Sequence, residues 1–137
     1  KHERSLLPGA IEEMLRWVTP VRNMNRTATV DVELGGQKIL KGDRTLLLYL
    51  SGNRDEEQFG PNAHEFDIFR TPNKHQAFGA NGRHNCLGAN LARLELTVLF
   101  EEVLDRLPEI RLVGPQEKRP ERSGNFVLGL ESLPVAF

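Results

Sequence analysis

The chain of 137 residues has only one cysteine, one tryptophan and one tyrosine. A single cysteine excludes an internal disulfide framework, a CxxC redox pair and a structural zinc site built on several thiolates. No apolar run approaches the roughly 18 residues that a transmembrane helix needs. The net charge is −1, which gives no electrostatic reason to expect binding to nucleic acid or to an anionic membrane.

The sequence also lacks an initiating methionine and a signal segment of charged and then apolar residues, since it begins Lys1-His2-Glu3-Arg4. Either an upstream part has been removed or the chain is a piece of a longer protein. Apolar residues make up 39% and charged residues 27%, a composition typical of a soluble globular domain.

Two helices are predicted from periodicity. Apolar residues recur at i, i+3, i+4 and i+7 from Ile11 within the segment Ala10 to Val18, bounded by Pro8 and Pro20. A longer helix is predicted from Leu87 to Leu107. Its apolar stripe is interpreted as core packing, and it consists of Leu87, Leu91, Leu94, Val98 and residues 100–104.

The region between these helices begins with strand-like segments. Residues 27–34 alternate between apolar and polar, Gly35-Gly36 is typical of a turn, and residues 37–40 and 44–50 predict two more strands. We therefore predict a small antiparallel sheet. Further strand-like pieces lie at residues 109–113 and 126–137.

Periodicity fails from Ser51 to Asn85. A segment of this length without regular structure is usually either functional or disordered. Apolar aromatic side chains argue against disorder because they can anchor the segment by burial; they are Phe59, Phe66, Phe69 and Phe78.

This segment delivers Cys86 to the start of the long helix. A lone cysteine is by default an inert buried thiol, and the alternatives are a reactive thiol or a metal ligand. The helix N-terminus lowers a thiol pKa and favours the thiolate, the form that binds metal. Gly82 and Gly88 bracket Cys86 and remove side-chain bulk, so a flat ligand could approach the backbone.

The pattern Gly82-x-His84-x-Cys86-x-Gly88-Ala89 resembles the haem-binding signature of bacterial cytochromes P450. The resemblance implies that Cys86 is the axial thiolate ligand to the iron of haem b, iron protoporphyrin IX. Phe78 departs from the common pattern because it lies eight residues before the cysteine rather than seven. That longer form is similar to actinobacterial members that act on sterols and methyl-branched lipids.

Two upstream features extend the resemblance. Glu13 and Arg16 match the family's Glu-x-x-Arg helix motif, and their spacing places both side chains on one helix face. Arg70 matches the arginine that completes this buried charge network. Burying such charges is expensive unless they are well paired, but a satisfied network could hold residues 51–85 in one conformation.

The resemblance also implies which residues contact ligands. Arg26 and His84 match positions that contact the haem propionates, and a guanidinium suits a carboxylate through bidentate hydrogen bonds. The other implied cofactor contacts are Phe78, Gly79, Gly82 and Gly88. Hydrophobic substrate contacts are expected within residues 21–24 and 125–128, chiefly from Val21, Met24, Phe126 and Val127.

The implied fold is mixed α+β, with residues 1–137 forming the C-terminal haem-binding portion of the mainly α P450 fold. The implied function is hydroxylation of an apolar small molecule such as a lipid or steroid, in the cytoplasm. Electrons would come from a ferredoxin-type donor and an NAD(P)H-dependent reductase. The family's oxygen-activating central helix has no counterpart here, so we predict that these residues alone are not a competent monooxygenase.

Other interpretations stay open at this point. The chain could be a truncated module that binds haem or a partner without chemistry, or Cys86 could be a redox-sensing thiol without haem. Taken singly, Glu13 and Arg16 suit a surface ion pair. Arg26 and Arg70 suit solvated positions, and His84 suits a loop position with a hydrogen bond to the backbone. A docking patch for an acidic electron donor is weighed against a solvated loop for Lys74, His75 and Arg83.

Overall fold

The computed structural model describes residues 3–79, 82–114, 121–122, 126–127, 129–130 and 132–137. The helices are α1 (Leu7–Val18, after a 3-10 turn at Arg4–Leu6), α2 (Tyr49–Gly52), α3 (Glu56–Phe59) and α4 (Ala89–Arg106). The strands are β1 (Asn23–Thr27), β2 (Val32–Leu34), β3 (Gln37–Ile39), β4 (Arg44–Leu48), β5 (Arg111–Leu112), β6 (Glu121–Arg122), β7 (Gly129–Leu130) and β8 (Val135–Ala136).

Helix α1 confirms the first predicted helix. Pro8 lies in its first turn, where a missing N–H costs nothing. Ile11 and Leu15 are buried, whereas Val18 at the helix end is exposed, so the apolar face is shorter than the periodicity indicated. The helix ends at Thr19, which adopts left-handed backbone angles of φ 44° and ψ 68°.

The predicted single strand over residues 27–34 is wrong. Strand β1 ends at Thr27, where it pairs antiparallel with β4, while β2 pairs with β3 in a separate hairpin. The physical reason lies at Ala28, whose N–H donates to Asp43 and whose carbonyl accepts from Gly42, which closes the first ladder before the second begins. The Gly35-Gly36 turn is confirmed, with φ of 56° and 76° at the two glycines.

The predicted sheet is therefore two sheets of two strands, and β4 stops at Leu48 because helix α2 starts there. Short strands near the end of the chain form two more antiparallel pairs, β5 with β8 and β6 with β7. The strand-like pieces predicted at residues 109–113 and 126–137 are thus present in shorter form.

Helix α4 confirms the second predicted helix, but the interpretation of its apolar stripe as core is wrong for this chain. Only one side packs on α1, where Leu96 and Phe100 contact the core of Leu7, Ile11 and Leu15. A helix that is apolar on several sides needs partners on each of them. Several of its other large apolar side chains are exposed, namely Leu91, Leu94, Val98 and Leu99, together with Leu87 just before the helix. Val103 and Leu104 are half-buried.

Residues 53–79 contain turns and the short helix α3 rather than long elements. Asp55 caps α3 by accepting a hydrogen bond from the Glu57 amide. Among the residues that the structure describes, no helix is long and apolar enough to cross a membrane.

Candidate functional site

The loop that carries Cys86 is closed by backbone hydrogen bonds. The Cys86 N–H donates to the Phe78 carbonyl at 2.9 Å, and the Cys86 carbonyl accepts from the Ala89 N–H at 3.2 Å. Cys86 therefore lies three residues before Ala89, the first residue of helix α4, and it is exposed. An exposed thiol beside a helix N-terminus is suited to act as a thiolate ligand or nucleophile.

The glycines around Cys86 leave room for a flat ligand. Gly79 and Gly82 have φ of 83° and 155°, which L side chains rarely adopt. A Cβ on Gly82 would meet nothing within 4 Å, so the space there is open. A Cβ on Gly88 would lie 3.9 Å from the Cys86 sulfur, in ordinary van der Waals contact with it.

Next to this loop is a cavity of about 480 Å³ that brings several predicted cofactor contacts together. Arg26 and His84 both line it. The remaining lining residues are Leu47, Leu48, Tyr49, Gly52, Gln76, Gly79, Gly82 and Arg83. Apolar side chains combined with cationic groups fit a flat apolar ring that carries two carboxylates, as haem b does.

The carboxylate of Glu13 and the guanidinium of Arg16 form a completely buried ion pair. Two hydrogen bonds of 2.7 Å join them, and neither side chain exposes any surface. Arg16 also donates to three carbonyls of the segment that follows the sheets, those of Asn53, Ala63 and Glu65, at 2.6 to 2.8 Å. One side chain of α1 thus holds three points of that segment.

Arg70 lies against the other side of Glu13. Its Nε is 3.4 Å from a Glu13 oxygen, and its terminal nitrogens donate to the Phe59 and Asn62 carbonyls at 2.8 Å. Burial works to raise the pKa of Glu13, but hydrogen bonds from Arg16 and the Asp67 amide, with both arginine charges, hold that pKa below its ordinary value. The carboxylate therefore stays ionised inside the protein.

A second ion pair, which sequence reasoning missed, joins α1 to α4. Glu12 accepts hydrogen bonds of 2.6 and 2.9 Å from Arg93, and the Nε2 of His75 lies 3.0 Å from the same carboxylate. Hydrogen bonding to Arg93 lowers the pKa of Glu12. Arg93 also lies over the Phe78 ring, 4.7 Å from its centroid, so this pair reaches the cysteine loop.

The structure brings some predicted substrate contacts together. Val21 and Val127 form an isolated antiparallel bridge, and Phe126 beside it is half-exposed. Met24 lies in β1 opposite Leu47, which lines the cavity. Residues 125 and 128 lie outside the described residues.

The three basic residues weighed as a docking patch differ in exposure. Lys74 and Arg83 are exposed. His75 has a side chain that is only 3% exposed and bonds Glu12, so it does not belong to an exposed patch.

Comparison with known proteins identifies the family of this chain. Residues 2–134 match the family model described as Cytochrome P450, and the chain belongs to that family. It is 52% identical over its full length to a steroid C26-monooxygenase of Mycobacterium tuberculosis, of which it covers 36%. It is 45% identical over 133 residues, 96% of its length, to a methyl-branched lipid omega-hydroxylase of Mycobacterium bovis, of which it covers 30%.

The fold also matches solved structures. The structure of CYP109E1 from Bacillus megaterium in complex with testosterone superposes with a TM-score of 0.89 at 39% identity, covering 97% of this chain and 36% of that one. The chain thus spans about a third of the length of the relatives it matches.

Proposed function

We propose that the natural polypeptide containing this chain is a haem–thiolate monooxygenase, and that these residues form its proximal haem-binding half. The observation that carries the proposal is the exposed Cys86 just before α4, in a loop whose Gly82 and His84 line a cavity together with Arg26. Membership of the cytochrome P450 family supports it.

Each residue has a distinct role in this proposal. The Cys86 sulfur would ligate the haem iron as a thiolate. Arg26 and His84 would donate hydrogen bonds to the propionates, while the Phe78 ring and the loop glycines (Gly79, Gly82 and Gly88) would shape the contact surface. When bound, the haem supplies the oxygen activation and electron transfer that side chains cannot.

The buried network acts through the loop rather than on the reacting atoms. Glu13, Arg16 and Arg70 hold residues 53–70 by the hydrogen bonds described above. Residues 71–77 connect that segment to the cysteine loop. Because the segment is held in place, the positions that Cys86 can occupy are restricted.

The proposed reaction converts a C–H bond, O2, two electrons and two protons into an alcohol and water. The relatives named for steroids and methyl-branched lipids favour an apolar substrate of that kind. Its contacts within this chain are assigned to Val21, Met24, Phe126 and Val127. The electrons are assigned to a ferredoxin-type donor with an NAD(P)H-dependent reductase.

A carbon monoxide difference spectrum of the reduced natural polypeptide tests the iron ligand. We expect a red-shifted Soret band typical of a thiolate ligand, and its loss in Cys86→Ser. Ser51→Ala, at an exposed position, serves as the control that should keep the band. A red-shifted band that survives in Cys86→Ser would remove Cys86 from the proposal.

The same preparations separate the alternatives. A haem-free protein whose Cys86 reacts readily with alkylating reagents favours a redox-sensing thiol, since the exposed sulfur suits that role as well. Haem binding without hydroxylation of any apolar substrate by the natural polypeptide favours a binding module. The 137 residues alone, reconstituted with haem, are expected to give no coupled hydroxylation.

A further inference from the structure

Thr19, at the end of α1, has an unusual backbone conformation. Its φ of 44° lies in the left-handed region, which costs a β-branched residue about 1–2 kcal/mol. The residue is completely buried, and its Oγ1–H donates to the Arg16 carbonyl at 2.6 Å. Glycine is the residue that usually ends a helix in this way, so the structure retains a hydroxyl here at the cost of strain.

The partner of that hydroxyl is Asn53, which is also completely buried. The Asn53 Oδ1 accepts from the Gln76 N–H at 2.6 Å, and Nδ2 donates to the Thr19 Oγ1 at 2.8 Å. This orientation is forced, because a backbone N–H can only donate. The position therefore requires a side chain that accepts one hydrogen bond and donates another, as the asparagine amide does. An apolar side chain or serine could not supply both bonds in the same geometry.

From Gln76 the contacts continue into the cysteine loop. The Gln76 carbonyl accepts from the Gly79 N–H at 2.9 Å, and the adjacent Phe78 carbonyl accepts from the Cys86 N–H at 2.9 Å. The end of α1 is thus joined to the amide of Cys86 through a buried side chain of a different segment. We name the bonds from Thr19 through Asn53 to the Gln76 amide the Asn53 bridge.

We propose that Asn53, with Thr19, is a positioning residue that sets the loop of Cys86 through the Asn53 bridge. The backbone carbonyl of Asn53 also accepts from Arg16 at 2.6 Å, so the bridge starts from the buried charge network. In a buried environment such bonds are strong and leave few alternative geometries. The inference rests on the proposed function, because the loop matters as the site of a thiolate ligand.

The test separates positioning from stability with variants at Thr19. Thr19→Ser keeps the hydroxyl, whereas Thr19→Gly removes it and relieves the backbone strain. Relief of strain offsets part of the loss of the two hydrogen bonds that the Thr19 hydroxyl makes, so Thr19→Gly should lose less stability than Asn53→Ala. Asn53→Ala removes the centre of the bridge, and Ser51→Ala at an exposed position of α2 is the control.

Two readouts are measured in the natural polypeptide below its unfolding temperature. The first is the ratio of thiolate-type to other ferrous carbon monoxide complex. We expect about a tenfold lower ratio in Thr19→Gly and Asn53→Ala, as is common when an outer contact of a metal ligand is lost, and wild-type values in Thr19→Ser and Ser51→Ala. The second is the rate of Cys86 alkylation at one fixed pH in the haem-free protein, which should change in the same two variants.

The proposal is overturned if Thr19→Gly keeps both the wild-type spectral ratio and the wild-type alkylation rate. It is also overturned if Asn53→Ala lowers only the unfolding temperature, which is the signature of a purely structural role. If the wild-type protein binds no haem, the proposed function fails. The alkylation rates of the haem-free wild type and variants still decide whether the Asn53 bridge positions Cys86.

Discussion

Helix α1 buries the charged side chains of Glu13 and Arg16 completely, whereas helix α4 leaves Leu91 and Leu94 exposed by 58% and 61%. This inverts the usual distribution of charged and apolar residues. The difference shows that the side chains of the two helices differ in where they find packing and hydrogen-bond partners. The charges of α1 find all their partners within this chain, but much of the apolar surface of α4 does not.

The comparison indicates what each helix does for the site. The partners of Arg16 lie within residues 53–65, in the segment that precedes the cysteine loop, so α1 fixes that segment by hydrogen bonds. Helix α4 begins beside Cys86, and its exposed face is what a longer polypeptide could cover. The chain spans about a third of the length of its relatives, which supports the interpretation that the rest of a longer polypeptide covers this face.

The largest effect is expected from Arg16→Met. This change leaves the buried Glu13 carboxylate without its main partner, and breaking a buried pair in this way costs about 3–5 kcal/mol of unfolding free energy. The matched control is Arg106→Met on α4, which removes an exposed pair with Glu102 that is worth at most about 1 kcal/mol. Urea unfolding of the natural polypeptide measures both. Equal losses of unfolding free energy in the two variants would show that the buried ion pair contributes no more to stability than the exposed one.

The exposed face of α4 gives the next prediction. In the natural polypeptide we expect Leu94→Ala to cost about 2–5 kcal/mol, as for a buried leucine. Leu34→Ala, at the end of β2, is the control because Leu34 is 71% exposed in this chain; we expect it to change stability by less than about 0.5 kcal/mol. If both leucines behave alike in urea unfolding, the α4 face is exposed in the whole protein too.

The same contrast explains what the sequence could predict. The α1 and α4 helices were predictable because their periodicity and flanking prolines are local signals. The break between β1 and β2 was not, because it depends on Ala28 bonding Asp43 across the ladder. The apolar pattern of α4 correctly predicted a helix, but it could not say which surface covers each leucine.

Prediction of the site divides along similar lines. The motif spacing around Cys86 and the Glu13/Arg16 pairing lie within short segments, so sequence could point to them. The contacts of Glu12 with Arg93 and of Asn53 with Thr19 join residues 81 and 34 positions apart, and no local pattern marks them. Such contacts depend on the completed fold, which is why both escaped the sequence analysis.

The smallest effect concerns His75, where α1 and α4 meet at Glu12. Burial lowers the pKa of His75, and the nearby Glu12 carboxylate opposes that shift only in part. As the pH falls below the ordinary value of 6.5, the imidazole of His75 therefore becomes protonated in the unfolded chain before it does in the folded protein. Folding stability contributed at His75 is present above that pH and declines as the pH falls toward the lower folded value.

We accordingly expect His75→Gln to flatten the dependence of unfolding free energy on pH just below 6.5. His64→Gln, at an exposed histidine, measures the general cost of losing this residue type. Urea unfolding over a pH series provides the comparison. An unchanged slope in His75→Gln would mean that this histidine takes up its proton equally in the folded and unfolded states. The ion pair of Glu12 with Arg93 would then join the two helices without making their junction sensitive to pH.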